Sequence, residues 1–192
     1  SVDEEFERSS QIADAVDQKF RGRRTLLKTF GDSIESHRLQ GAAGLQPLLV
    51  SHRALKEAFD NVAIADRAGE IVANLNGANQ IGKANVADRE YFERTVATKA
   101  GVISKPFRNR ISGLPQIAMT EPVLDARGEV AYVVSAFVNL SATNFLGELA
   151  NVRFGGSGYM FITSLDGIVI DDPDESRLLQ HAVVGGANSA AP

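Results

Sequence analysis

Residues 88–140 read DREYFERTVATKAGVISKPFRNRISGLPQIAMTEPVLDARGEVAYVVSAFVNL, and their punctuation decides the fold. Asp88 stands where a side-chain oxygen can accept from the free N–H groups of a first helical turn, so a short helix is expected after it, carrying Arg89 and Tyr91 at its start and ending near Gly101. Three strand-like segments follow: Val102 to Phe107, Gln116 to Leu124 and Glu129 to Leu140. Arg108 to Pro115 and Asp125-Ala126-Arg127-Gly128 connect them. One helix laid across an antiparallel sheet makes a cup.

Upstream, Asn61 to Ala65 and Glu70 to Leu75 form a period-two hairpin on Asp66-Arg67-Ala68-Gly69, and Asn74 to Gly82 is a polar loop. This hairpin, IADRAGEIVA, resembles VLDARGEVAY at Val123 to Tyr132 and, more loosely, ITSLDGIVI at Ile162 to Ile170. Either an internal repeat or the shared demands of a tight antiparallel turn accounts for the likeness.

Further upstream, Val2 to about Leu39 has few breakers and a seven-residue apolar repeat through Phe6, Ala13, Phe20, Leu27 and Ile34, with a weaker second line through Val16 and Phe30. The C-terminal half reads as an amphipathic face packed on its own domain and the N-terminal half as a dimer seam. Gly22 and Gly31 each cost such a helix roughly 1 kcal/mol against alanine, so packing must hold it. Arg21, Arg23 and Arg24 read as a solvated face. After a Gly/Ala break at Gln40 to Gly44, Leu45 to Phe59 reads as a return helix with Pro47 in its first turn.

The composition excludes several function classes. With 20 basic and 24 acidic residues among 192, in no long run of either sign, the chain has no nucleic-acid footprint. It has no cysteine, so thiolate catalysis, disulfides and Cys-ligated zinc are excluded. No phosphate loop, zinc-protease or nucleophile-elbow motif occurs, and no cofactor is implied. His37, His52 and His181 lie far apart and read as surface or packing residues, and Asp171-Asp172-Pro173-Asp174-Glu175 as a turn and cap rather than a cation site. No run approaches the roughly 20 apolar residues that span a bilayer.

The order DRxYF, SxPF, SG, a strand, DxxGE and a long last strand resembles the membrane-distal lobe of the double Cache family of bacterial extracytoplasmic sensor domains, with the likeness extending over about residues 2–172. It implies an α/β (α+β) fold: a helical stalk and return helix at 1–60, a PAS-like lobe at 61–140, a linker helix at 141–154 and the start of a second, membrane-proximal lobe at 155–192. It also implies transmembrane helices flanking this stretch in the native protein, a homodimer through the first helix, and sensing rather than catalysis. The output would be a cytoplasmic module such as a diguanylate cyclase, a histidine kinase or a chemoreceptor body. A dimerisation or interaction module with a vestigial pocket is the alternative.

In family members that bind amino acids, an arginine grips the ligand carboxylate and an aspartate on the last strand pairs with its ammonium. The resemblance puts Arg89 at the first place and Phe137 at the second, with Tyr91 and Phe92 at two aromatic positions, Phe107 at a pocket tyrosine and Ala84 at another. On the residues alone, Arg89 equally suits a surface pair with Asp88 or Glu93. With the family pattern, a pocket of Arg89, Tyr91, Phe92, Phe107, Met119 and Phe137 is expected, suited to a small carboxylate and poor for zwitterions, because a buried ammonium without a counter-charge costs several kcal/mol.

Overall fold

The computed structural model describes residues 2–36, 41–140, 150–154, 160–164 and 169–171. Its helices are α1 (Val2–Ser36), α2 (Leu45–Ser51), α3 (Arg53–Ala58) and α4 (Glu90–Thr98). The strands are β1 (Asn61–Asp66), β2 (Ile71–Asn74), β3 (Phe107–Arg108), β4 (Pro115–Leu124), β5 (Val130–Asn139), β6 (Ala150–Phe154), β7 (Met160–Ser164) and β8 (Val169–Asp171). They form a five-stranded sheet in the order β2-β1-β5-β4-β3 and a three-stranded sheet in the order β6-β7-β8. The fold is mixed helix and antiparallel sheet, as expected.

Two compact units share the chain. One takes Gly22–Ser104 and Ala118–Val138; the other takes Ser1–Arg21, Lys105–Ile117 and Asn139–Pro192. In the first, alternation along the strands sends Val62, Ile64 and Val134 to one face and Ala63, Ala65 and Ser135 to the other, since the β1–β5 register runs unbroken from Asn61↔Phe137 to Asp66↔Tyr132. Leu27, Phe30 and Ile34 of α1 are buried, as are Leu45, Leu49 and Leu55 of α2 and α3. The C-terminal half of α1 therefore packs on its own domain, and Gly31 lets it approach β4, where a Cβ would stand 3.7 Å from that of Glu121.

Several local expectations change. The return helix breaks at His52, which has φ −89° and ψ 82°. Its Nδ1 lies 2.9 Å from the Leu48 carbonyl, and its ring meets Phe30 edge-on at 4.8 Å, so this is a packing histidine. Arg23 is not simply solvated: its Nε donates to the Ala58 carbonyl at 3.1 Å, tying α1 to the end of α3, and burial lowers its pKa. The segment Val102 to Phe107 is not one strand but an isolated bridge, Ile103↔Met119, followed by β3, because Pro106 between them has no N–H to give a ladder. Phe20, assigned to a dimer seam, is 8% exposed and covered by its own chain. The side chains of Phe6 and Ala13 lie outside the described residues.

In the second unit, β3 pairs with the start of β4 at Phe107↔Gln116, around a turn in which the Asn109 Oδ1 accepts from Ile111 and Ser112. Ala150–Phe154 is a strand, not the end of a linker helix: every residue from Ala150 to Phe154 pairs with β7, Ala150↔Ser164 through Phe154↔Met160. Residues 141–149 and 172–192, with most of the acidic run and His181, lie outside the described residues, as do His37 and the turn of the third hairpin.

The turns of the two similar hairpins, β1–β2 and β4–β5, are chemically the same. Asp66 Oδ1 accepts from the backbone of Ala68 and Glu70, and Asp125 Oδ1 from Arg127 and Glu129. The Glu129 backbone N–H is the main reason that the Asp125 carboxyl is held below its usual range. Gly69 and Gly128 both need positive φ, +83° and +77°. They differ in their surroundings: a Cβ on Gly69 would stand 2.5 Å from the Ala87 backbone nitrogen, whereas one on Gly128 would meet nothing within 4 Å. Gly128→Ala should cost about 1–2 kcal/mol for the left-handed backbone alone. Gly69→Ala should cost roughly 2 kcal/mol more, because the backbone itself must move. Urea unfolding of both variants measures the difference, and equal losses would show that the contact with Ala87 imposes nothing.

Candidate functional site

The α4 side of the sheet holds the candidate site. The helix enters from a turn in which the Arg89 N–H donates to the Val86 carbonyl at 2.9 Å, so helical bonding starts only with Glu93 N–H to the Arg89 carbonyl. Arg89 is therefore the N-cap residue, with no side-chain cap, and Asp88 sits in the preceding turn rather than at the cap. The helix closes at Lys99 in the left-handed conformation, φ 52°, two residues before Gly101.

A chain of hydrogen bonds fixes α4 to β4. The Val102 N–H donates to Thr120 Oγ1 at 3.1 Å, Thr120 and Thr95 share a 2.5 Å bond, and Thr95 Oγ1 donates to the Tyr91 carbonyl at 2.6 Å. Since Thr95 gives its proton to Tyr91, Thr120 must donate to Thr95. The Thr pair is fully interior, at 0% and 2% exposure.

These contacts sort the expected residues. Tyr91 and Phe92 are both buried at 4%, and the Tyr91 ring meets Phe137 edge-on at 5.9 Å. Arg89, Tyr91, Phe92 and Phe137 thus belong to α4 and the strand beneath it, with Arg89 and Phe137 half-buried. Met119 does not join them. Thr120 faces α4 and Glu121 faces α1, so Met119, an even step from Glu121, points away from the site. Phe107 is half-buried in the other unit, on β3 opposite Gln116, and is not among the side chains that this unit gathers.

Sequence reasoning missed Ser135. It shares the Phe137 face, lies opposite Ala63, is 3% exposed, and its Oγ is a buried polar atom without a hydrogen-bond partner among the described residues. In the sequence it is one small residue within VVSAF, with no local signal. Ala63, Ala118 and Ser135 are small residues on this face, beside Val133, whereas the opposite face carries Val62, Ile64, Val134 and Met119 with Ala136.

Comparison with known proteins agrees with this fold. The sequence matches the Cache domain family, dCache_1, over residues 1–188. The chain belongs to the Cache domain family. The ligand-binding domain of the Pseudomonas aeruginosa PAO1 amino acid chemoreceptor PctC, in complex with GABA, superposes with a TM-score of 0.66 at 19% identity, over 92% of this chain and 78% of that one. That of the Pseudomonas fluorescens chemoreceptor CtaA, in complex with L-alanine, gives 0.64 at 19% identity, over 91% and 73%. Sporulation kinase D of Bacillus subtilis (strain 168) is 28% identical over 112 residues, 58% of this chain; the chain spans only 21% of that relative's length. This Cache domain is a ligand-binding sensor of the signal-transduction type. Among the described residues no helix is long and apolar enough to cross a membrane, and no group of three or more His, Cys, Asp or Glu is placed to hold a metal ion.

On the α1 side, the Cache domain has a concavity of about 450 Å³, bounded by Arg24, Lys28 and Asp32 of α1, by Lys99 and by Glu121. Its charges are mostly engaged: Lys99 Nζ is 2.9 Å from Glu129 Oε1, Lys28 is 4.0 Å from Asp32, and Glu35 Oε1 accepts from the Leu124 N–H. Burial pushes the Glu121 carboxyl up, Lys28 and Arg24 draw it partly back, and Asp32 adds to the rise. A carboxyl raised in the folded state favours folding while protonated, and that contribution is lost as pH rises through its folded pKa. Glu121→Gln should therefore be more stable than the parent at pH 8, with the gap closing as pH falls through the carboxylate range. Urea midpoints at pH 8 and pH 4 test this; a gap independent of pH would show that the charge carries no penalty.

Proposed function

We propose that this chain is the extracytoplasmic sensing part of a membrane-bound signal-transduction protein, and that it binds a small carboxylate between α4 and the sheet. The observation that carries the reading is the α4-facing side of the sheet, where the buried and unpartnered Ser135 stands with Ala63 and Ala118 beneath a helix whose buried face presents Tyr91 and Phe92. Arg89 stands at the N-terminus of that helix, where a guanidinium and outward backbone N–H groups suit an anion. The family resemblance supports the same residue as the carboxylate grip.

Phe137 supports a preference against free amino acids. An aromatic ring packed on Tyr91 gives an ammonium no counter-charge where amino-acid sensors of the family supply one. Adjacent β4 residues give a mechanical route outwards: Thr120 bonds α4, and Glu121 lies against α1 at Gly31. A ligand that draws on α4 biases α1, and a homodimer through α1 passes the change across the membrane to a cytoplasmic output. The chemoreceptors and the sporulation kinase among the similar proteins support such an output.

A thermal-shift screen of simple carboxylates and amino acids tests the site. At a hundredfold excess over Kd, a ligand specific to the folded state adds about 2.7 kcal/mol. Carboxylates should raise Tm and zwitterions much less. Arg89→Ala should weaken carboxylate binding about tenfold or more, in keeping with roughly 1.5–3 kcal/mol for a charged hydrogen bond. Stabilisation by amino acids that survives Arg89→Ala would overturn the assignment.

A further inference from the structure

The buried hydroxyls of the α4-bearing unit are accounted for with one exception. Thr95 and Thr120 bond each other, and Ser104 Oγ accepts from the Ala118 N–H at 2.8 Å. Ser135 Oγ, 3% exposed, has no partner among the described residues. A buried hydroxyl without a partner is unfavourable in itself, and alanine would fit the same space without that penalty. Its direction is fixed by the ladder. Asn61↔Phe137 and Ala63↔Ser135 are successive same-face pairs in an unbroken register, and Phe137 is edge-on to Tyr91 of α4. The hydroxyl therefore projects towards α4, with the short side chain of Ala63 as its cross-strand neighbour.

We infer that Ser135 is a ligand-contacting, specificity-determining residue, and that the ligand is a carboxylate bearing a second, neutral polar group: a hydroxy or oxo acid. This rests on the reading of the α4 face as a carboxylate site. A serine hydroxyl both donates and accepts but carries no charge, so it matches an alcohol or a carbonyl and gives an ammonium no counter-charge. Phe137, two residues along the same face, makes the surroundings apolar, where a matched hydrogen bond discriminates more strongly than in water. The ligand is anchored as an anion at one end and read as a neutral polar group at the other.

Isothermal titration of the purified chain with butanoate, its 2-, 3- and 4-hydroxy derivatives and the corresponding oxo acids tests this, with the parent, Ser135→Ala and Arg89→Ala. At least one hydroxy or oxo acid should bind the parent about tenfold tighter than butanoate. Ser135→Ala should remove that preference, leave butanoate affinity within about twofold, and unfold in urea at a midpoint no lower than that of the parent. Equal binding of butanoate and all its derivatives overturns the inference, as does a preference that survives Ser135→Ala. So does a ligand-free Ser135→Ala that is clearly less stable, because the hydroxyl would then have a structural partner. If acids bind and need Arg89 but ignore Ser135, this inference fails and the carboxylate site stands. If none of the acids binds, both fail.

Discussion

The turn Asp66-Arg67-Ala68-Gly69-Glu70 holds the entrance of α4, and the whole cup depends on that hold. Gly69 passes so close to Ala87 that no side chain fits between them, and its carbonyl accepts from the Val86 N–H at 2.9 Å. Asn85 Nδ2 adds bonds to the Ala68 carbonyl and to Glu70 Oε1. The hairpin thus fixes residues 85–87, and the turn that follows sets where the helix can start. Because the Arg89 N–H closes the turn that begins at the clamped Val86, the position of Arg89 follows from a backbone contact some 20 residues upstream in the chain.

The other end of α4 is held by the chemically identical turn, but less firmly. Glu129, the last residue of Asp125-Ala126-Arg127-Gly128-Glu129, meets Lys99 at 2.9 Å, and both side chains are about half exposed. An exposed ion pair of this kind contributes from nothing to about 1 kcal/mol. Between the two turns, Arg67 Nε donates to the Val130 carbonyl at 2.9 Å, with its outer nitrogen 3.5 Å from Asp125. The likeness between the two hairpins, which the sequence leaves open between repeat and turn chemistry, therefore has a structural use: each turn secures one end of the same helix.

What the sequence discloses follows from the range over which each feature is determined. Hairpins are set within about ten residues by Asp, Gly and alternation, so β1, β2, β4 and β5 fall within a residue or so of where the pattern places them. Parity is less forgiving. Met119 and Thr120 are one step apart, and only the bond from Thr120 to Thr95 tells which of the two faces the site. Asp88 has the right chemistry for a cap, yet the Val86–Arg89 turn postpones the helix past it. The break at His52 depends on Phe30 and on a carbonyl one turn back, which no local pattern announces. Ser135 is the extreme case. What distinguishes it is the absence of a partner among all the groups that fold around it, a property that no window of sequence contains.

The two faces of the sheet differ in a way that suits a sensor. On the α1 side, branched and long side chains fill the space to 0% exposure at Leu27, Val62, Ile64 and Val134, and close-packed interiors of this kind move as a body rather than yielding locally. On the α4 side Ala63, Ala118 and Ser135 stand among Val133, Thr120 and Phe137, and the helix above them is held by a threonine bond at its middle, a clamp at its entrance and an exposed ion pair at its exit. On the proposed reading, a ligand beneath α4 would act on that helix first. The Thr95–Thr120 bond joins the helix to β4 one peptide from Glu121, which lies against α1 at Gly31, so a displacement of α4 has a direct covalent and hydrogen-bonded path to the long helix.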